Sequence, residues 1–252
     1  MLGNLAQDLA LALDPVRLFK EVNANDPDDW QAQLLRSRRR QIILNCSRQA
    51  GKSTSTASLA LHTALYEPGA LILLLSRALR QSQELFRKVV GGYRALGRPV
   101  APEAESALQL ELETGSRIIA LPGSEATIRS YSGVRLLIID EAARVPDDLY
   151  RAVRPMLAVS GGKMVLLSSP FGKRGFFFEE WMHGGPSWER IEVPASQVPR
   201  IPAEFLDEER RALGPWFAQE YGCQFLDGQF QVFSYESVMG ALSDEVQPLF
   251  GG

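Results

Sequence analysis

The run Cys46-Ser47-Arg48-Gln49-Ala50-Gly51-Lys52-Ser53 carries the most specific chemistry in this sequence. It follows the phosphate-loop pattern G-x-x-x-x-G-K-[ST] everywhere except at the first position, where Cys46 stands in place of glycine. A loop of this kind joins a buried strand to a helix and turns its backbone N–H groups, with the helix N-terminus, toward phosphate oxygens. Ser47, Arg48, Gln49, Ala50, Gly51, Lys52, Ser53 and Thr54 would then surround the phosphates of ATP. Lys52 would reach the β and γ phosphates, and the Ser53 hydroxyl would ligate Mg²⁺. The plain alternative is a chance Gly-Lys-Ser at a helix start.

A magnesium-nucleotide site also needs a carboxylate for the metal and, for hydrolysis, a group that polarises the attacking water. Leu136-Leu137-Ile138-Ile139-Asp140-Glu141 supplies both at the end of an apolar strand. Asp140 is placed for the metal and Glu141 for the water. Adjacent carboxylates at a strand end also occur as a solvated turn or a helix cap; the phosphate loop upstream favours the catalytic reading.

These groups need a scaffold, and the apolar pattern outlines one. Gln41 to Asn45 has strand length, and a helix from about Lys52 to Tyr66 follows the loop. Ala70 to Leu75 is continuously apolar, as a parallel strand covered on both faces requires. Leu79, Phe86, Val89, Val90, Tyr93 and Leu96 recur at helical spacing. Alternation from Ser106 to Leu121 around Thr114-Gly115 predicts a hairpin. Leu136 to Ile139 and Lys163 to Ser168 are further strands, joined through helices at about 147–159 and 176–182, which makes an α/β pattern. Ahead of the core, Leu2, Leu5, Leu9 and Leu13 share a helical face, and Asp28 or Asp29 caps a helix through Trp30 to Ser37. Proline-rich 184–202 reads as a domain edge with one short strand, and 203–221 as satellite helices. The expected organisation is a helical arm over 1–28, a core over 29–185, a lid or linker over 186–230 and a tail over 231–252.

Composition narrows the partners. The chain has 252 residues, 45% hydrophobic and 23% charged, with 27 Lys plus Arg against 30 Asp plus Glu, for a net charge of -3. That is a globule with a sizeable core, and it speaks against nucleic-acid binding through bulk charge. Two cysteines far apart point to a reducing compartment and leave no four-ligand zinc site. No run approaches the ~18 apolar residues of a spanning helix, and the N-terminus lacks a basic leader.

Ser47-Arg48-Gln49-Ala50-Gly51-Lys52-Ser53, Leu136 to Ala143 and Leu167-Ser168-Ser169-Pro170-Phe171-Gly172 together resemble the ATPase domain of tailed-phage large terminases, from about Asp29 to Gly228. The resemblance implies a RecA-like fold of the ASCE branch, with a mostly parallel sheet flanked by helices and a small C-terminal lid. The strand between the phosphate loop and Asp140, and the Glu beside the Asp, favour the same branch. It implies ATP and Mg²⁺ as cofactors, double-stranded DNA as the translocated substrate, a ring of copies (a pentamer), the portal and the small terminase subunit as partners, and work in the cytoplasm of the infected host. Terminases often depart from glycine at the first loop position, which accommodates Cys46.

The resemblance also implies individual roles. Trp30-Gln31 matches an aromatic-Gln pair in which Gln31 reads adenine and Trp30 packs near the base; the alternative for Trp30 is a core anchor. Ser168-Ser169-Pro170 matches a coupling motif whose hydroxyls sense the γ-phosphate, the alternative being a strand ending in a turn. Arg48 lies inside the loop. Arg129 matches a position at the subunit edge and is the expected arginine finger in a neighbouring site, with Arg144 and Arg135 as competitors; such a finger is worth ~10³ to 10⁵ in rate. The basic run Arg36 to Arg40 reads as a solvated face, although one member could contact nucleotide phosphates. Local DNA contacts fall to Lys88, Arg94 and Arg98. Large terminases continue into a metal-dependent nuclease; no second acidic constellation appears here, so the expectation is a motor without the cutter. The competing readings are a superfamily 2 helicase-like ATPase, since Asp140-Glu141-Ala142-Ala143 resembles a DEAD-type box, and a nucleotide-gated module that does not turn over.

Overall fold

The fold comes from a computed structural model that describes residues 2–122, 131–227 and 235–241. In chain order its elements are α1 (Leu2–Leu13), α2 (Pro15–Asn23), α3 (Asp29–Arg36), β1 (Gln41–Cys46), α4 (Lys52–Tyr66), β2 (Leu71–Ser76), α5 (Leu79–Ala95), β3 (Pro102–Glu105), β4 (Gln109–Leu112) and β5 (Arg117–Pro122). After residue 130 come β6 (Val134–Asp140), α6 (Asp147–Val153), β7 (Lys163–Ser168), α7 (Gly175–His183), β8 (Trp188–Val193), α8 (Ala203–Leu213), α9 (Phe217–Glu220) and α10 (Tyr235–Ala241).

One sheet holds the described strands in the order β3-β4-β5-β2-β6-β7-β1-β8. From β5 to β8 all neighbours run parallel, and β3 and β4 add an antiparallel extension at the β5 edge. β7 therefore lies between β1, which leads into the phosphate loop, and β6, which ends in Asp140. The parallel strands bury both faces, so their sequences are continuous apolar runs. Ile42, Leu44, Ile72, Leu74, Leu136, Ile138, Val165 and Leu167 face a core shared with α2 to α5. The alternate residues Ile43, Leu73, Leu75, Leu137, Ile139 and Leu166 face a second core with α6 and α7.

Several boundaries differ from the sequence expectation. The helix expected over 147–159 ends at Val153 and continues as a 3-10 turn, Arg154–Leu157, because Pro155 has no N–H for the carbonyl one turn back. The short strand expected at a domain edge is β8, which pairs with β1 along its whole length. A division at residue 186 thus leaves one strand of the main sheet outside the core segment. From the segment read as an N-terminal arm, α2 contributes Val16, Leu18 and Phe19 to the core. On α1 the leucine stripe forms as a helix, yet Leu5, Leu9 and Leu13 stay exposed.

β3, which the sequence pattern did not show, changes the reading of the surface arginines. Its Glu105 pairs with both Arg94 and Arg98. Lys88 Nζ donates to Thr54 Oγ1 at 3.3 Å. The patch expected to meet DNA is therefore partly neutralised within this chain.

Gly162, just before β7, sits against the start of β6. A Cβ there would meet the Val134 carbonyl oxygen at 2.1 Å and the Arg135 oxygen at 2.9 Å. Backbone atoms cannot rotate aside, so Gly162→Ala is expected to destabilise the fold by about 1–3 kcal/mol, read from the denaturant midpoint.

Candidate functional site

β1, β6 and β7 end on the same edge of the sheet, and the chemistry gathers there. The chain leaves β1 at Cys46, turns through residues 47–51 and enters α4 at Lys52. Gln49 and Gly51 take left-handed conformations, with φ of 59° and 93°. Gly51 is the residue before the helix, and its missing Cβ matters twice: φ is positive, and a Cβ would meet Gln31 Nε2 at 3.0 Å and Arg200 Nη2 at 3.3 Å. Cys46 lies in the apolar core with an ordinary backbone, and burial pushes its thiol pKa far up, so it is an inert filler where the pattern has glycine.

The loop is tied to its surroundings through its backbone. Ser47 N–H donates to Val193 O at 2.9 Å and Arg48 N–H to Glu220 O at 3.1 Å. Arg200 donates from Nη2 to Ala50 O at 2.9 Å and from Nη1 to Asp28 Oδ1 at 2.7 Å. Asp28 precedes α3, and its N–H donates to Gln31 Oε1 at 2.9 Å. Arg200, Asp28 and Gln31 thus fasten α3 to the loop. Gln31, the residue expected to read adenine, is buried beside the loop, with its oxygen occupied by the helix start. Trp30 is buried in the core cluster, the packing role weighed against a place near the base.

Lys52 is buried, with Nζ 3.5 Å from Ser47 O. Ser53 Oγ lies 3.4 Å from Asp140 Oδ2, so the loop and the β6 carboxylate share one site. Burial first, and Glu141 second, push the Asp140 pKa up to about 6, against the opposing pull of Lys52, the Glu141 N–H and Ser53. A carboxylate and a hydroxyl are hard oxygen donors of the kind Mg²⁺ prefers, and a buried carboxylate at this cost gains from a cation, so the pair fits that ion. Nearby, the hydroxyls of Ser47 and Ser168 are buried without a hydrogen-bond partner. An unmet buried hydroxyl costs about 1–3 kcal/mol, which suits groups held for a ligand.

Glu141 is left-handed at φ 53°, ψ 40°, a strained conformation for glutamate. The turn carries its side chain to Arg144, whose Nη1 donates to Glu141 Oε2 at 3.0 Å. Arg144 also lies 3.5 Å from Ser169 Oγ, 3.8 Å from Glu220 Oε1 and over the Phe171 ring at 4.7 Å. Arg48 Nε pairs with Glu220 Oε2 at 2.8 Å. Glu220, on α9, therefore joins the loop arginine to the arginine that holds Glu141.

The structure brings Lys52, Ser53, Asp140, Glu141, Arg48, Ser168 and Ser169 into this neighbourhood. Arg129 lies outside the described residues. Among its competitors, Arg144 faces Glu141 of its own chain, and Arg135 pairs with Glu67 at the opposite end of the sheet. Arg36 to Arg40 precede β1, a strand's length from the loop, so no member of that run reaches the phosphate site; Arg36 pairs with Asp14 at 2.7 Å. Sequence reasoning missed Arg200, Asp28 and Glu220 as site residues. None belongs to a local motif, and only their long-range partners identify them.

The raised pKa of Asp140 has a definite sign. An acid whose folded pKa lies above its unfolded value near 3.8 destabilises the fold as pH rises through that window and beyond. Asp140→Asn is expected to raise the Tm of the nucleotide-free protein at pH 7 and to leave it nearly unchanged at pH 4, measured by scanning calorimetry.

Comparison with known proteins identifies the family and the fold. The family model for the terminase large subunit, T4-like virus type, N-terminal, matches residues 43–238. The large terminase ATPase domain of Thermus phage P74-26 superimposes with a TM-score of 0.73 at 22% identity, over 84% of this chain and 99% of that domain. The HK97 bacteriophage large terminase gives 0.69 at 15% identity, over 85% of this chain and 55% of that one. A large terminase from a thermophilic bacteriophage, in complex with ATP-gamma-S, gives 0.63 at 15% identity, over 79% and 53%. This chain thus spans about half the length of the latter two, and it shares their RecA-like fold. With most of its length matched by the family model, the chain belongs to the family of the terminase large subunit, T4-like virus type, N-terminal.

Proposed function

We propose that this domain hydrolyses ATP with Mg²⁺ and that the hydrolysis drives double-stranded DNA during viral genome packaging. The observation that carries the reading is the meeting of Ser53 and Asp140 at 3.4 Å, with Lys52 buried on one side and Glu141 next in the chain. When bound, Mg²⁺ would offset charge on the β and γ phosphates. Ser53 and Asp140 are the residues to hold it. The N–H groups of residues 49–53, at the α4 N-terminus and the turn before it, cradle the phosphates, and Lys52 adds a full positive charge. Glu141 orients and polarises the attacking water, and its hydrogen bond from Arg144 sets the carboxylate's direction. Arg48 faces Glu220, so its approach to a phosphate exchanges one anionic partner for another. Ser168 and Ser169, at the end of β7, stand where a change at the γ-phosphate would reach the Arg144–Glu220 contact.

In this reading the motor works as a ring, a pentamer, in the cytoplasm of the infected bacterium, with the portal and the small terminase subunit as partners and Arg129 of one copy completing the site of the next. No described helix is long and apolar enough to cross a membrane. Modest DNA affinity of a single copy is compatible with this role, because a ring multiplies weak contacts along one duplex.

Glu141→Gln is expected to cut steady-state ATP hydrolysis by about 10² or more while ATP binding persists. Unchanged hydrolysis would remove Glu141 from the mechanism. For the trans finger, the rate per subunit is expected to rise with protein concentration and to lose that dependence in Arg129→Ala; a flat rate that tolerates the substitution refutes the role.

A further inference from the structure

A cavity of about 400 Å³ opens at the end of the sheet opposite the phosphate loop. Its ionisable lining is Arg38, Arg40, Arg135, Lys163, His62 and Glu67. Arg40 lies just before β1, Arg135 is the second residue of β6 and Lys163 the first of β7. The nucleotide residues follow the far ends of the same strands. The five steps from Arg135 to Asp140 span about 16 Å at the usual strand rise, so the two sites do not overlap.

The charge of this cavity is not balanced from within. Among the described residues, four cationic side chains face it, Glu67 is the one carboxylate in the lining, and Glu67 is taken by Arg135. Arg38 and Arg40 are exposed and make no ion pair among the described residues. The Arg40 guanidinium packs over Gly161, where a Cβ would meet its Cζ at 3.2 Å. Lys163 is half-buried, and Nζ gives one hydrogen bond, to Ser37 O at 2.6 Å. Burial lowers its pKa, and Arg135 pushes the same way against the pull of Glu67 and Glu189. The fold thus holds like charges together around an open space, an arrangement that an anion relieves.

The anion that fits best is a phosphate. Two guanidinium forks and an ammonium, offset in part by the α4 C-terminus and the pull of Glu189, leave roughly two uncompensated positive charges, and a phosphate monoester brings about -1.5 to -2 with several strong acceptor oxygens. The walls between the cations are mixed, apolar at Pro15, Leu35, Leu59 and Leu136 and hydroxyl-bearing at Ser37, Thr63 and Ser160. The volume lies in the range of small-molecule sites and exceeds what a bare phosphate fills, leaving room for a sugar or base. We propose that this cavity is a second, phosphate-binding site, which takes the phosphate of a nucleotide, either free or at the 5′ end of a DNA strand. It is separate from the P-loop and does not depend on the ATPase reading.

The test uses the whole chain carrying Lys52→Ala, so that the P-loop contributes little. Deoxyadenosine monophosphate is titrated by calorimetry, and a DNA hairpin with a 5′-phosphate, beside the same hairpin without it, by fluorescence anisotropy. Saturable binding of the nucleotide or of the phosphorylated hairpin is expected. The joint Arg38→Ala, Arg40→Ala change should weaken it by about tenfold or more, the size expected for loss of charge-assisted hydrogen bonds. Arg38→Lys with Arg40→Lys should keep most of the affinity, and circular dichroism checks that both exposed substitutions leave the fold intact. The probe that binds identifies the source of the phosphate. No saturable binding by either probe, equal binding after the alanine changes, or equal binding of both hairpins when deoxyadenosine monophosphate does not bind overturns the proposal. Loss of ATP hydrolysis in Glu141→Gln bears only on the other site, so the two readings fail independently.

Discussion

The site depends on the buried carboxylate of Asp140. A negative charge at the end of an apolar strand is costly unless other groups meet it, and here Lys52, Ser53 and the Glu141 N–H do so only in part. Those groups come from separate stretches, α4 and the turn after β6. Their meeting requires β1 and β6 to end level, with β7 between them. The in-register pairing of β1 with β7 and of β7 with β6 secures that alignment. The two apolar cores on either face fix the sheet and, with it, the spacing of the charges.

Around this centre the remaining charges are joined through Glu220. It holds Arg48 of the loop and approaches Arg144, which holds Glu141. Arg144, Glu141 and Glu220 are partly buried and Arg48 is exposed, so the attraction is stronger at Arg144 than on an open surface, and removing Glu220 leaves Arg144 with one partner fewer. In the proposed reading, a γ-phosphate brought into the loop would compete with Glu220 for the same cations, which would link phosphate occupancy to the helices that follow β8 without any long pathway.

How much of this was legible in the sequence depended on whether the cause was local. The strand, loop and helix of residues 41–66 follow from an apolar run, a glycine and a helix start in succession, so the pattern located them. Asp140 and Glu141 were legible because a charged pair directly after Leu-Leu-Ile-Ile marks the end of a buried strand. The end of α6 was written in Pro155, yet the apolar spacing beyond it suggested a longer helix. β3 was hidden because Pro102 to Glu105 is short, largely exposed and without alternation; pairing with β4 makes it a strand. The ties Arg200–Asp28 and Arg200–Ala50 join residues 172 and 150 positions apart, and no local pattern records such contacts. The charge census had the same limit: counting Arg94 and Arg98 as a patch missed Glu105, which only the folded chain brings to them.

The two ends of the parallel sheet are electrically unlike, and the helices explain only part of the difference. The N-terminus of α4 points into the phosphate loop, and its C-terminus, with Leu59, His62, Thr63 and Glu67, lines the cationic cavity. A helix C-terminus carries roughly half a negative charge and favours nearby cations. That partial charge and Glu67 together offset about one and a half of the four positive charges around the cavity. The remainder sits on Arg38, Arg40 and Lys163, which belong to the segments before β1 and β7 and do not extend α4. Helix polarity alone would place one or two cations there, as an ordinary cap does. The excess needs a further anion, whether supplied by solvent ions or by a ligand, and a concave site with both apolar and hydroxyl-bearing walls favours a ligand that can fill it.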